Sequence, residues 1–154
     1  MRSLMTLSTL VFVAAPAPAQ RDRYEQRDRY DKRAVAYARR LSVSQLDRSL
    51  NDQSFGEWLR RIVGPHAKIT WEANDCGEQI GAPSDAARDI PSCVEARAQL
   101  PDRHEVVITI AVGTFNKGIS GPPSVYDAFV RKNAATIHLR KLGELANALN
   151  QSAR

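Results

Sequence analysis

Only two cysteines, Cys76 and Cys93, occur in the 154 residues. Neither a Cys-x-x-Cys motif nor a histidine close in sequence accompanies them, which argues against a metal site of ordinary ligand spacing. Histidine is also scarce. His66, His104 and His138 fall at none of the spacings that metal motifs use, so each reads as an isolated side chain. The chain lacks a Gly-x-Ser-x-Gly elbow, a phosphate-binding glycine loop and a His-Glu-x-x-His sequence. Gly118-Ile119-Ser120-Gly121 has neither the elbow spacing nor an identifiable base. No metal and no cofactor is therefore expected, and no catalytic signature stands out. Long apolar runs are missing too, except at the very start.

That start reads as an export signal. Arg2 supplies a positive charge, residues 4–15 form an uncharged, mostly apolar run, and Ala17-Pro18-Ala19 offers a small-x-small cleavage site before Gln20. The run is shorter than the roughly 20 residues needed to cross a bilayer. An N-terminal membrane anchor is the competing reading. No cysteine follows the cleavage site, which argues against a lipid anchor. The expectation is a signal peptide over residues 1–19 and a periplasmic or secreted protein with no transmembrane segment in the mature chain. Residues 20–154, 135 in all, then match one ordinary domain. In an oxidising compartment the two cysteines are expected to pair. A Cys76–Cys93 disulfide closes a loop of 18 residues, counting both cysteines, and contributes about 3 kcal/mol in the chain-entropy model.

The charge is unevenly placed. The formal net charge is +5, yet residues 20–40 hold eight basic and four acidic side chains, while residues 41–154 hold thirteen of each. The excess lies in an N-terminal arm, residues 20–42, and the body has no global field to steer nucleic acid or acidic partners. The arm repeats a unit, Gln20-Arg-Asp-Arg-Tyr24 and then Gln26-Arg-Asp-Arg-Tyr30. Two readings of it stay open. One is a solvated spacer. The other is a helix supported by Glu25–Arg29 and Asp28–Lys32 pairs, with Tyr30, Ala34, Tyr37 and Leu41 on one face. Its mix of arginine and tyrosine resembles the surfaces that bind single-stranded nucleic acid. The four interspersed acids and the export signal point instead to weak contact with an anionic surface.

From residue 43 to residue 150 the sequence reads as a single α+β domain, with 151–154 a tail. Ser54 and Glu57 have the form of a capping box, and Phe55, Trp58, Leu59 and Ile62 then fall on one helical face, stopped by Gly64-Pro65. After that the period becomes two. Strands are expected at 69–73, 94–100, 106–112, 125–130 and 136–141, the third being the most buried because it is nearly continuously β-branched. Leu142, Leu145, Ala146 and Leu149 suit a closing helix. The fold expected is an antiparallel four- to five-stranded meander with a short amphipathic helix before it, a C-terminal helix and one disulfide.

Several of these segments carry a resemblance. Trp71-Glu72-x-x-Asp75-Cys76-Gly77-Glu78-Gln79, then Cys93-x-Glu95-Ala96, then Ala111-Val-Gly-Thr-Phe115-x-Lys117-Gly118, resemble a group of exported bacterial proteins of unknown function. The match covers about residues 43–130. It implies an exported protein and brings no activity with it. The helix-then-meander order is also similar to cystatin-like and PepSY-like modules, a likeness of fold alone.

Candidate binding residues come from two loops. In the loop of residues 113–121, Phe115 and Ile119 are apolar where a surface is expected, beside Asn116 and Lys117; both apolar side chains pinning the loop to the sheet edge is an equal alternative. Asp75, Glu78 and Gln79 lie beside Cys76. Glu72 and Glu95, on the strands joined by the disulfide, invite comparison with a glycosidase carboxylate pair, but strand alternation alone accounts for them. The function expected is that of a small, exported, non-catalytic interaction domain with an exported protein or envelope component as partner. The alternative is a small exported hydrolase using carboxylates near the disulfide.

Overall fold

The computed structural model describes residues 18–74, 93–112 and 122–152. Most of the expected signal segment lies outside these residues. Among the described residues, no helix is long and apolar enough to cross a membrane.

The amphipathic helix forms where its stripe predicts. Helix α3 (Phe55–Val63) follows two earlier helices, α1 (Pro18–Arg40) and α2 (Val43–Leu46). Ser54 caps α3 by accepting the Glu57 N–H at 3.3 Å, and Gly64, at φ +88°, ends it in a conformation that disfavours side chains. Phe55, Trp58, Leu59 and Val63 are buried. The complete reciprocal capping box forms one helix earlier, between Ser42 and Gln45.

Five antiparallel strands follow, β1 (Lys68–Asn74), β2 (Cys93–Gln99), β3 (Glu105–Ala111), β4 (Ser124–Lys132) and β5 (Ala135–His138). They lie in one sheet in chain order, so the expected meander is present. β3 sits in the centre, as its β-branched run requires. The fifth strand ends at His138, short of the expected Lys141. Leu139 still donates its N–H to Ala128 at 2.8 Å, in register with Phe129↔His138, but the next residue, Arg140, gives its N–H to the Glu144 carboxylate of the closing helix at 2.9 Å. A bulge leaves Tyr126 without a partner between Thr109↔Asp127 and Ile110↔Val125. Asn133 and Arg103 take positive φ in the tight turns before β5 and β3.

Alternation gives the sheet two unlike faces. Val94, Ala96, Ala98, Val106, Ile108, Ile110, Ala128 and Val130 join the helices in one core. The opposite face presents Glu95, Arg97, Glu105, Phe129 and Arg131. Helix α4 (Leu142–Ser152) closes the covered face through Leu142, Leu145 and Leu149, and continues two residues into the segment read as a tail.

Helix α1 resolves the two readings of the arm. Residues 21–29 are exposed wherever their side chains are described, and Lys32 pairs with Asp28 at 2.7 Å as the spacing implies. The second half belongs to the body. Ala34 and Ala38 are fully buried, Leu41 nearly so, and Tyr37 packs against the core. The helix lies against α3, β1 and β2. Gly56 permits this approach, because a Cβ there would stand 3.2 Å from the Arg39 carbonyl oxygen.

Cys93 is fully buried and forms a small second cluster with Ala111. No cysteine among the described residues is free. Cys76 lies outside the described residues.

Candidate functional site

The loop residues expected to bind, Asp75, Glu78, Gln79, Phe115, Asn116, Lys117 and Ile119, lie outside the described residues. The strand ends that carry them are described. Asn74 stands opposite Cys93, Cys93 opposite Ala111, and Ala111 opposite Ser124. In an up-and-down meander the first and third connections leave from the same end. The two candidate segments therefore depart from neighbouring strand ends.

A concave surface missed by the sequence reading lies between α1, α3 and β1. It has a volume of about 610 Å³, with Ile69 and Trp71 of β1, Arg39 and Arg40 of α1, and Glu57 and Arg60 of α3 among its lining. A second concavity of about 440 Å³ shares Arg39 and Trp71 with it and extends along α1 to Asp31. The three arginines are held differently. The Arg39 guanidinium stands 5.6 Å from the centre of the Trp71 ring, a cation–π contact. Trp71 is in turn fixed edge-on to Phe55 at 5.6 Å. Arg60 donates through Nη1 to the Ala67 carbonyl at 2.6 Å, and Arg40 through Nε to the Ala36 carbonyl at 3.1 Å. Among the described residues, none of the three has a carboxylate within ion-pair distance. Asp31, at the far end, has a buried Oδ1 without a hydrogen-bond partner. Burial raises its pKa above the usual carboxylate value, against the pull of Arg27.

The remaining acids are mostly engaged. On the open sheet face Glu105 receives Arg97 at 2.5 Å, Gln99 at 2.8 Å and Arg131 at 3.1 Å. Arg97 also holds Glu95 at 2.8 Å, and the bonds to Glu95 and Glu105 raise the Arg97 pKa. Glu72 is the direct cross-strand partner of Glu95, so the two carboxylates share one face, as the dyad reading required. Glu95 is nevertheless clasped by Arg97. Arg131 also lies over the Phe129 ring at 5.4 Å.

The histidines do not converge. His66 is exposed after α3. His104 is buried against the Asp102 carboxylate in a turn, and His138 faces Asp127 at 3.3 Å on exposed β5. Among the described residues no group of three potential ligands is placed to hold a metal ion.

Comparison with protein-family models, curated proteins and solved structures gives no match for this chain. The groove had a faint signal in the sequence. Arg39-Arg40 and Arg60-Arg61 are the basic residues of the last turns of α1 and α3. Such residues ordinarily complement the helix macrodipole, which hides any second role.

Proposed function

We propose that this chain is a small, exported, non-catalytic binding domain. One asymmetry carries the reading. Carboxylates with reduced exposure on the sheet are tied to arginines, whereas three guanidiniums share one concavity with a single carboxylate, Glu57, and form no ion pair among the described residues. Acid–base catalysis needs an available pair of acids. Recognition needs pre-placed donors in a concave surface, and a volume of about 610 Å³ suits a small-molecule site.

Residues 1–19 act as the signal peptide in this reading, giving a periplasmic or secreted protein. Cys76 and Cys93 pair. In support, Cys76 follows Asn74 by two residues and Asn74 lies opposite Cys93, so the chain is short enough to bring the two within disulfide reach. The segments bearing Asp75, Glu78, Gln79, Phe115, Asn116, Lys117 and Ile119 supply a second contact surface at one end of the sheet. The exposed first half of α1, with its excess of arginine, gives weak contact with anionic surfaces. The resemblance to exported bacterial proteins is consistent with this reading.

The alternative, a small exported hydrolase, is favoured by the Glu72–Glu95 juxtaposition alone. The Arg97 clasp on Glu95 works against it.

The test is capture. Mature protein is immobilised and crosslinked to an extract of its own envelope and medium, beside Phe115→Ala/Lys117→Ala and Arg40→Gln/Arg60→Gln variants. One component captured by the parent and lost by either variant supports the reading. Capture of nothing, or capture indifferent to both variants, overturns it.

A further inference from the structure

We infer that the groove between α1, α3 and β1 holds a compact ligand carrying two or more oxyanionic groups, carboxylate or phosphoryl, between Arg39, Arg40 and Arg60. This rests on the binding-domain reading above and gives it a ligand class.

Three like charges around one concavity repel one another, and only Glu57 among its described lining offsets them. The local balance is therefore two positive charges in excess, which a dianion neutralises. Pre-placement is visible in all three, Arg40 being held by the Ala36 carbonyl. Arg39 is pinned by Trp71, and Arg60 by the Ala67 carbonyl. A guanidinium carries five N–H donors in a planar fork that matches carboxylate and phosphate oxygens. Arg40 and Arg60 each spend one donor group on a backbone carbonyl, which leaves the rest for a ligand. Fixing the arginines beforehand lowers the ordering cost of binding.

The other end of the groove limits the ligand's length. Beyond Arg39 and Trp71 the lining includes Asp31 and Glu72, with Lys32 the added cation. Lys32 is already paired with Asp28. A long polyanion laid along the groove meets these carboxylates, whereas a small anion stays at the arginine end. The buried Oδ1 of Asp31 lacks a donor, so a ligand reaching that far does best with a hydroxyl or amide there.

The experiment is calorimetric titration of the full mature protein with citrate, pyrophosphate and inorganic phosphate, with heparin as the long polyanion and thermal unfolding in parallel. Citrate and pyrophosphate separate the carboxylate from the phosphoryl source. Saturable one-to-one binding of one of them is expected, with affinity falling as salt rises. Arg40→Gln or Arg60→Gln weakens it at least tenfold. Arg48→Gln and Arg61→Gln, both exposed and outside the groove lining, leave it unchanged. Arg39→Lys keeps the charge, loses the fork and also weakens binding. Unfolding temperatures without ligand show that each variant remains folded. No saturable binding by any small probe, equal losses in groove and control variants, or heparin preferred over both small anions overturns the inference. Partner capture that persists while every probe fails removes this ligand class alone; failure of both removes the binding-domain reading as well.

Discussion

The Asp47 carboxylate accepts the N–H of Gly143 at 2.9 Å across 96 positions of sequence. The same side chain accepts the Ser49 hydroxyl at 2.7 Å and the Ser49 N–H at 3.0 Å. One buried acid thus fastens the start of α4 to the segment after α2. Burial of the carboxylate opposes its charge, but the bonds from Ser49 and Gly143 hold its pKa below the ordinary 3.8.

Asp47→Ala is expected to lower stability by about 1–3 kcal/mol, because the Gly143 and Ser49 donors lose their acceptor. The folded pKa is depressed, so this stabilisation is full above the unfolded value and is lost as pH falls through the folded one. Urea unfolding should show the parent and Asp47→Ala curves converging below about pH 4. Curves that stay parallel to pH 2 contradict the assignment.

The docking of α1 predicts a contrast along one helix. Ala38→Glu places a charge at a fully buried position and is expected to cost about 3 kcal/mol or more. Tyr24→Ala, at a residue 66% exposed, should change stability by less than about 0.5 kcal/mol. Thermal unfolding measures both. Limited proteolysis adds a readout, with cleavage near Arg39 and Arg40 appearing only in Ala38→Glu.

Glu105 gathers three donors on the open face of the sheet. Glu105→Gln should destabilise by about 1–3 kcal/mol, a range reduced because both arginines are partly in solvent. Raising salt should narrow the gap from the parent only modestly, since Glu105 itself is buried. A gap that vanishes in high salt marks the network as a surface effect.

The proposed disulfide has a chemical test. Mature protein alkylated without reduction should take up no label at Cys76 or Cys93, and should take up two after reduction and unfolding. Reduction should lower stability by about 3 kcal/mol. Label at both positions in unreduced protein rules the bond out.

How far the sequence could be read varies by element. Helix α3 was legible because Ser54 and the Phe55, Trp58, Leu59 stripe set its start and buried face together. β1 and β2 follow from period two, β3 from its nearly continuous β-branched run, and the turn residues separate these strands and β4. The expected β5 extends too far because nothing in Thr136 to Lys141 marks where pairing ends; it ends where the Arg140 N–H goes to Glu144 at the start of α4. The fate of the arm stayed open because Ala34 and Ala38 are poor hydrophobic signals. Their small size matters only once α3 and the sheet are close enough to exclude larger side chains. The groove was hidden for a similar reason. Arg39 and Arg60 are 21 positions apart, and they share a cavity through the close approach of α1 to α3 at Gly56.

Chain order and strand order coincide in this sheet. Ladder pairing therefore demands only neighbouring closures, which are entropically cheap and favour rapid assembly. The residues 75–92 between β1 and β2 form its widest closure. The helices face the opposite situation. α1 and α3 come first in the chain, yet the surface they cover is built from β1 to β4. Until those strands exist, the Phe55–Trp58 stripe has nothing to bury it. A chain released from its N-terminus thus carries its most adhesive segment unprotected for the longest time, and it is there that a chaperone or a protease would first take hold.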